Sequence, residues 1–257
     1  MPSKQNDFPE NRRRNFLRQS TIGLGGFFLS GIAASDANSY ATKNIVCVGG
    51  HPDDPESGCG GTLALLSANG FNVTIIYLTT GEAGIPGKSH AEAASIRKQE
   101  AINACNLLNA KPVFAGQTDG STIVNIEWIE KMSQLIENEN PSMLFTHWPI
   151  DSHRDHQVAS LLAIQAWQRA QQRYPLYFFE VLYGIQTTGF NPTDFIDITS
   201  TQEQKRKAVF CHTSQDPAGI YKEGHAEMET YRGKAINKKA AEAFVRIQGN
   251  SEIVFPK

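Results

Sequence analysis

Two short runs carry most of the side chains that could do chemistry at one point: HPDD at His51-Pro52-Asp53-Asp54, and HRDH at His153-Arg154-Asp155-His156. Imidazoles and carboxylates are costly to desolvate, so clusters of them on turns mark places that bind something. A hydrolytic zinc centre takes three His and carboxylate ligands and leaves one position for water. His51 and Asp54 are three residues apart, so one turn can aim both at a single point, and His156 can supply the third ligand. Asp53 can then act as general base on the bound water. His153, as imidazolium, can stabilise an oxyanion or protonate a leaving amine, with Asp155 orienting it and holding its proton. Spacing alone leaves open which aspartate binds the metal and which is the base. A histidine before proline also caps turns, and paired aspartates also start helices. HPDD alone is therefore as readily structural as functional, and the second cluster tips the balance.

The elements that must position these runs follow from the apolar pattern. NIVCVGG, VTIIYLTT, PVFAG and SMLFTHW are short, apolar and bounded by turn residues, and they read as strands. ESGCGGTLALLSANG, HAEAASIRKQEAINACNLL, NIEWIEKMSQLIENEN and VASLLAIQAWQRAQQ show helical spacing, with Gly70 expected to cap the first. The alternation predicts a Rossmann-like layered α/β fold, with a mostly parallel sheet and helices on both faces. The remainder is expected to be a mixed C-terminal extension: YFFEVLYG and FIDIT, a helix through KRKAVFCH, and another from MET on to AEAFVRI. In open sheets of this kind ligands bind at the carboxyl ends of the strands, where strand order reverses. HPDD follows the first predicted strand and HRDH the fourth, so the topology brings both clusters to one edge.

The amino terminus reads differently. NRRRNFLRQSTIGLGGFFLSGIAASDA has Arg12 to Arg14, then Phe16-Leu17 and a Gly-rich apolar stretch too short to span a membrane. It resembles a twin-arginine export signal over residues 1–37, which predicts a periplasmic or otherwise exported protein with one domain at 38–257. Removing residues 1–37 takes five Lys/Arg from 24 and three Asp/Glu from 26, leaving a net charge of −4. That charge, and the lack of a basic aromatic patch, argue against nucleic acid and anionic membranes as partners. Four cysteines, Cys47, Cys59, Cys105 and Cys211, are too few for a disulfide scaffold, and Cys47 and Cys105 are expected to be buried thiols.

GGHPDDPESGCGGTLA, YLTTGEAG, IRKQEA, QTDG and DSHRDH, in that order, resemble the PIG-L/LmbE-like family of zinc-dependent N-acetylglucosaminyl deacetylases, and the closing KKAAEAF is also similar. The resemblance implies a Rossmann-like fold with Zn2+ on His51, Asp54 and His156, Asp53 as base and His153 as the second catalytic group. It also implies substrate contacts from Arg97 and Asp119, whose donors and acceptors suit a sugar. Read structurally, Arg97 would instead pair with Glu100 on its helix, and Asp119 would form an Asp-Gly turn. Glu82 and His147 are expected near the pocket; His90, His212 and His225 are expected to be surface or structural. The sequence departs from the family where Pro55 precedes Glu56, where Arg154 replaces a proline, and where Asp151 occupies a position that is Tyr in some sugar-specific members. The expected activity is removal of the N-acetyl group from an N-acetylated amino sugar or its conjugate. Hydrolysis of another amide or ester on the same scaffold, and non-catalytic sugar binding, are the competing readings.

Overall fold

The computed structural model describes residues 43–181 and 186–250. The export-signal reading falls on residues 1–37, outside the described residues. Seven strands form one sheet: β1 (Asn44–Gly49), β2 (Asn72–Tyr77), β3 (Ala110–Phe114), β4 (Met143–His147), β5 (Leu176–Phe179), β6 (Asp194–Asp197) and β7 (Ala241–Ile247). Their order is β3-β2-β1-β4-β5-β7-β6. The first five strands of that order run parallel, and β7 lies antiparallel between β5 and β6. The chain leaves β1 in one direction through β2 and β3, then returns to its other side at β4. The switch point thus lies between two hydrogen-bonded strands, with Cys47 opposite Phe145.

Why these segments are strands is visible in their burial. Along β1, Ile45 and Cys47 enter one apolar cluster, while Val46 and Val48 enter a second on the opposite face. A strand covered on both faces must be apolar at every position, as NIVCVG is. The first cluster packs α1 (Asp54–Ala68) and α2 (His90–Leu108); the second packs α3 (Ile126–Glu137) and α4 (Arg154–Arg169). Pro112 is tolerated in β3 because that strand is the sheet edge. Gly70, with φ 83, stands one place past the Asn69 cap of α1. Its N–H reaches Ser67 O (2.9 Å) and that of Phe71 reaches Leu66 O (3.1 Å), the paired bonds of a Schellman ending. Cys47, Cys59 and Cys105 are buried and unoxidised.

The extension differs from expectation at its end. AEAFVRI was expected to continue a helix, but α7 (Ala226–Ala235) stops and β7 begins at Ala241. Asn237 turns the chain with φ 56, and Ala241 to Phe244 are then buried between β5 and β6. Alternation cannot separate the two states over so short an apolar run; the sheet's unfilled edge decides.

One buried charge cluster fastens this extension. Lys205, on α5 (Gln202–Val209), is buried with Nζ 3.0 Å from Glu229 on α7 and 2.7 Å from Glu242 on β7. Glu242 also accepts the N–H groups of Gly61 (2.9 Å) and Thr62 (2.7 Å), which follow the break in α1 at Cys59. A kink frees backbone donors, and this carboxylate satisfies them. Lys205→Met should therefore lower the unfolding free energy by about 3–5 kcal/mol, because two buried carboxylates lose their cation; urea denaturation checks this. Although burial opposes ionisation, Lys205, Gln202 and Tyr221 hold the Glu229 pKa below its usual 4.5. Folding thus favours the ionised carboxylate. Its contribution is complete above the unfolded pKa and is lost as pH falls through the folded one. The urea midpoint should fall in acid, and less so in Glu229→Gln.

Candidate metal centre

β1 ends at Gly49, and the chain turns through Gly50 and HPDD into α1. A Cβ on Gly50 would lie 2.9 Å from His156 Cδ2 and 3.1 Å from Asp54 Oδ2, so glycine is what lets the two clusters close on each other. Asp53 has φ 106 and ψ −32, a conformation L residues rarely hold and one found at sites that over-determine it. Glu56 supplies part of that restraint: its Oε2 accepts the Asp53 N–H (3.2 Å) while Oε1 accepts the Tyr77 hydroxyl (2.5 Å).

Asp54 Oδ2 is the meeting point. It lies 3.1 Å from His51 Nδ1, 3.2 Å from His156 Nε2 and 3.4 Å from His147 Nε2, and it accepts the His51 N–H at 2.7 Å. The far nitrogens of the two outer imidazoles are held in turn. His51 Nε2 sits 3.1 Å from Asp155 Oδ2 and 3.2 Å from Asp119 Oδ1, and His156 Nδ1 sits 3.1 Å from Asp151 Oδ2. Carboxylates on the outer nitrogens fix the tautomers so that His51 Nδ1 and His156 Nε2 turn lone pairs toward Asp54. Two lone pairs and a carboxylate oxygen at that range repel unless a proton or a cation lies among them.

Electrostatics agree. Burial lowers the pKa of His51, but bonds to Asp119, Asp155 and Asp54 outweigh it and raise the value well above the ordinary one. Burial likewise opposes the shift at His156, where Asp54 and Asp151 prevail and raise it to about 9. Burial opposes ionisation of Asp54, but His156 outweighs it and holds the carboxyl well below the usual range. A divalent cation would replace those imidazole protons. The donor set, two imidazoles and one carboxylate with aspartates behind both imidazoles, fits a metal ion. Overlapping groups of potential ligands surround the point: Asp54, His147 and His156; His51, His153 and His156; and His51, Asp119 and Asp155. Buried His147 accepts the Gly50 N–H on Nε2 at 3.0 Å and stacks on His156 at 4.0 Å between centroids. Its lone pair is thereby taken, and it acts as a wall.

Other expected residues take different places. Asp155 does not hold the proton of His153. Its carboxylate accepts from Gly120 N (2.7 Å) and Thr122 Oγ1 (2.6 Å) and backs His51. His153 caps α4, its Nδ1 accepting the Asp155 backbone N–H at 3.2 Å. Its pKa is lowered by burial and by neighbouring His156 and His51, opposite to the imidazolium expected from an aspartate partner. The neutral ring then carries its hydrogen on Nε2. Arg97 pairs neither with Glu100 nor, in this arrangement, with open solvent. It is buried, with Nη1 on Gly81 O (3.2 Å) and Nη2 on Pro52 O (2.5 Å) and Asp53 Oδ2 (3.0 Å). Asp119 lies against His51 and accepts the Ala83 N–H at 2.9 Å. Glu82 braces the same turn, accepting from Thr80 Oγ1 (2.6 Å) and Asp119 N (2.9 Å). Burial, opposed by Arg97 and aided by Asp54, pushes Asp53 up to about 6.

A cavity of about 140 Å³ opens on Asp53, Asp54 and His156, with Val209 and Ile220 among its walls. His212 and His225, expected to be surface or structural, are buried and line this cavity. Neither has a motif partner nearby in the chain, so no sequence signal places them. Both arrive on the segment that follows α5. His90 is exposed, as expected.

The guanidinium of Arg97 thus joins three backbone and side-chain oxygens around the strained Asp53. Arg97→Met should destabilise the fold by about 2 kcal/mol, on the scale of a buried charge-assisted hydrogen bond. Metal content should stay unchanged, since Arg97 touches none of the proposed ligands; calorimetry and elemental analysis of the same preparation check both.

Residues 46–167, which carry both clusters, match the family profile described as PIG-L, GlcNAc-PI de-N-acetylase. The chain is 29% identical over 224 residues to the diacetylchitobiose deacetylase of Thermococcus kodakarensis, covering 80% of this chain and 84% of that one. It is 25% identical over 193 residues to the 4-oxalmesaconate hydratase of Pseudomonas putida, covering 68% of this chain and 74% of that one. Among solved structures it superimposes on an N,N′-diacetylchitobiose deacetylase from Pyrococcus horikoshii with a TM-score of 0.71 and 25% identity, over 81% of this chain and 85% of that one. The motifs, the sheet order and the paired clusters agree with this PIG-L family match over residues 46–167 and with the fold of the deacetylase neighbours.

Proposed function

We propose that the protein is an exported, zinc-dependent hydrolase that removes the N-acetyl group from an N-acetylated amino sugar or its conjugate. The convergence of His51 Nδ1 and His156 Nε2 on Asp54 Oδ2, beside the restrained Asp53, carries this reading. Those three residues would hold the metal, with Asp155 and Asp151 fixing the imidazoles from behind. Zinc bound there would polarise the acetamide carbonyl and lower the pKa of a water beside it. Asp53 takes a proton from the attacking water as the new C–O bond forms. Arg97 holds its carboxylate in place, and burial raises its affinity for that proton. His153 donates from Nε2 to the oxyanion, its Nδ1 being engaged by the Asp155 N–H. The C–N bond breaks, and the amine leaves with the proton that Asp53 accepted. The deacetylase relatives support the substrate class; the hydratase relative marks water addition to a carbon–carbon double bond as the competing chemistry.

Acetate release from N-acetylglucosamine and N,N′-diacetylchitobiose decides between them. The purified protein should release acetate, lose the activity to 1,10-phenanthroline and regain it with Zn2+. Acetate release indifferent to the chelator, or none with zinc restored, would overturn the reading. Asp53→Asn should keep its zinc and lose about 10²–10⁴-fold in kcat, whereas Asp54→Asn and His156→Ala should lose the metal. If Asp53→Asn empties the site while Asp54→Asn stays loaded, the two carboxylates are reversed. Replacing Arg13 and Arg14 with lysine should leave precursor in the cytoplasm, because a receptor reads the pair and charge alone does not suffice. Undiminished export on fractionation would remove that part of the proposal.

A further inference from the structure

The candidate metal point has two unlike sides. His153 is exposed, its ring centroid 4.7 Å from that of His51 and 4.6 Å from that of His156, and it marks the side open to solvent. Asp119 stands on the same polar side, 3.2 Å from His51 Nε2. His51, His153 and Asp119 all lie outside the walls of the cavity, which meets the centre through Asp53, Asp54 and His156. The rest of its accessible wall is mainly apolar. Val181 contributes from the segment after β5, Val209 from the end of α5, and Pro217 and Ile220 from the one-turn helix α6 (Pro217–Ile220).

The polar groups on those walls are engaged elsewhere. Ser57 Oγ donates to Asp54 O (3.2 Å), Gln186 Nε2 to Asp151 Oδ1 (2.9 Å) and Gln215 Nε2 to Gly84 O (3.1 Å). His212 Nε2 faces Glu56 Oε1 at 3.4 Å. Burial, aided by nearby Lys205, pushes the His225 pKa down to about 3, so that ring is neutral. A polyol placed here would lose water from its hydroxyls and find few partners in exchange. A hydrocarbon chain gives up no hydrogen bond and gains by leaving water.

An amide carbon bears three groups in one plane. Its oxygen belongs at the metal and the His153 donor, and its nitrogen carries the sugar, whose hydroxyls need the open polar side. The acyl carbon is left for the enclosed apolar side. Resting on the hydrolase reading above, we propose that this cavity is an acyl pocket, and that the protein removes N-acyl groups longer than acetyl, from butyryl to hexanoyl, from its amino sugar. Water breaks the same C–N bond, and the products are the free amine and the carboxylate of the chain. Size favours the longer group. The cavity of about 140 Å³ is close to the roughly 150 Å³ void that admits a six-carbon benzene ring, whereas an acetyl group would place one methyl in it. Val209 and Ile220 are then the residues that set how long a chain is accepted.

The test measures amine release from N-acetyl-, N-butyryl- and N-octanoyl-glucosamine by the purified, zinc-loaded protein. Burying one methylene corresponds to about fourfold, so kcat/KM should rise about fifteenfold from N-acetyl to N-butyryl, chiefly through KM. The gain should have stopped by N-octanoyl, whose chain outruns the cavity. Ile220 is 38% exposed, so Ile220→Trp can fold while its indole fills the pocket; the butyryl-to-acetyl ratio should then fall to about one. Val209→Phe, from the opposite segment, should lower the same ratio. N-butyryl cleaved no better than N-acetyl, or a preference that survives both substitutions, would overturn the pocket. Titration calorimetry with acetohydroxamate and butyrohydroxamate, whose head groups chelate zinc, separates this from failure of the hydrolase reading. If no acylated sugar is cleaved, tighter binding of butyrohydroxamate that Ile220→Trp abolishes upholds the pocket, and equal affinities overturn it.

Discussion

One carboxylate oxygen organises this molecule. Asp54 Oδ2 lies 2.7 to 3.4 Å from four nitrogens contributed by His51, His147 and His156. Those residues come from the ends of two neighbouring parallel strands and the first turn of a helix. Such a convergence of imidazole lone pairs and negative charge is unfavourable without compensation. The surrounding structure supplies it: Asp155 and Asp119 behind His51, Asp151 behind His156, and the Gly50 N–H on His147. The four aspartates around two imidazoles hold more negative charge than two protons neutralise, which is the condition under which a divalent cation is held firmly.

The fold makes that convergence cheap. β1 and β4 are adjacent because strand order reverses between them, so residues about a hundred positions apart in the chain emerge side by side. Gly50 then removes the one side chain that would keep them apart. Asp53 is forced into a strained backbone by the same turn, and it is held there by Glu56 beneath and Arg97 alongside. Strain at Asp53 and its ion pair to Arg97 are two aspects of a single arrangement, one that fixes a carboxylate next to the candidate metal point without letting it join the three proposed ligands.

Much of this could be read from the chain. Strands apolar at every position between helical spacings gave the parallel sheet, and two acid-and-imidazole runs after the neighbouring strands β1 and β4 pointed to the candidate centre. What escaped the sequence is the partnering of side chains across the fold. HRDH places Asp155 beside His153 in sequence, yet α4 begins there and carries the carboxylate round to His51 instead. Arg97 has Glu100 one turn away, but Glu100 is taken by Thr213 and Ser214. His212 and His225 reach the cavity only because α5 and its following segment are pinned by Lys205 to Glu229 and Glu242, a tie between residues up to 37 positions apart. The strand at AEAFVRI has the same origin: whether that run is helix or strand depends on a vacant sheet position that no local pattern reveals.

The account stands or falls on where the metal sits. Anomalous diffraction from crystals of the protein soaked in a zinc salt, recorded on both sides of the zinc absorption edge, locates it directly. The account predicts one dominant peak about 2.0–2.2 Å from His51 Nδ1, Asp54 Oδ2 and His156 Nε2. A dominant peak held instead by Asp119 and Asp155 on the other face of His51, with none beside Asp54, would contradict it.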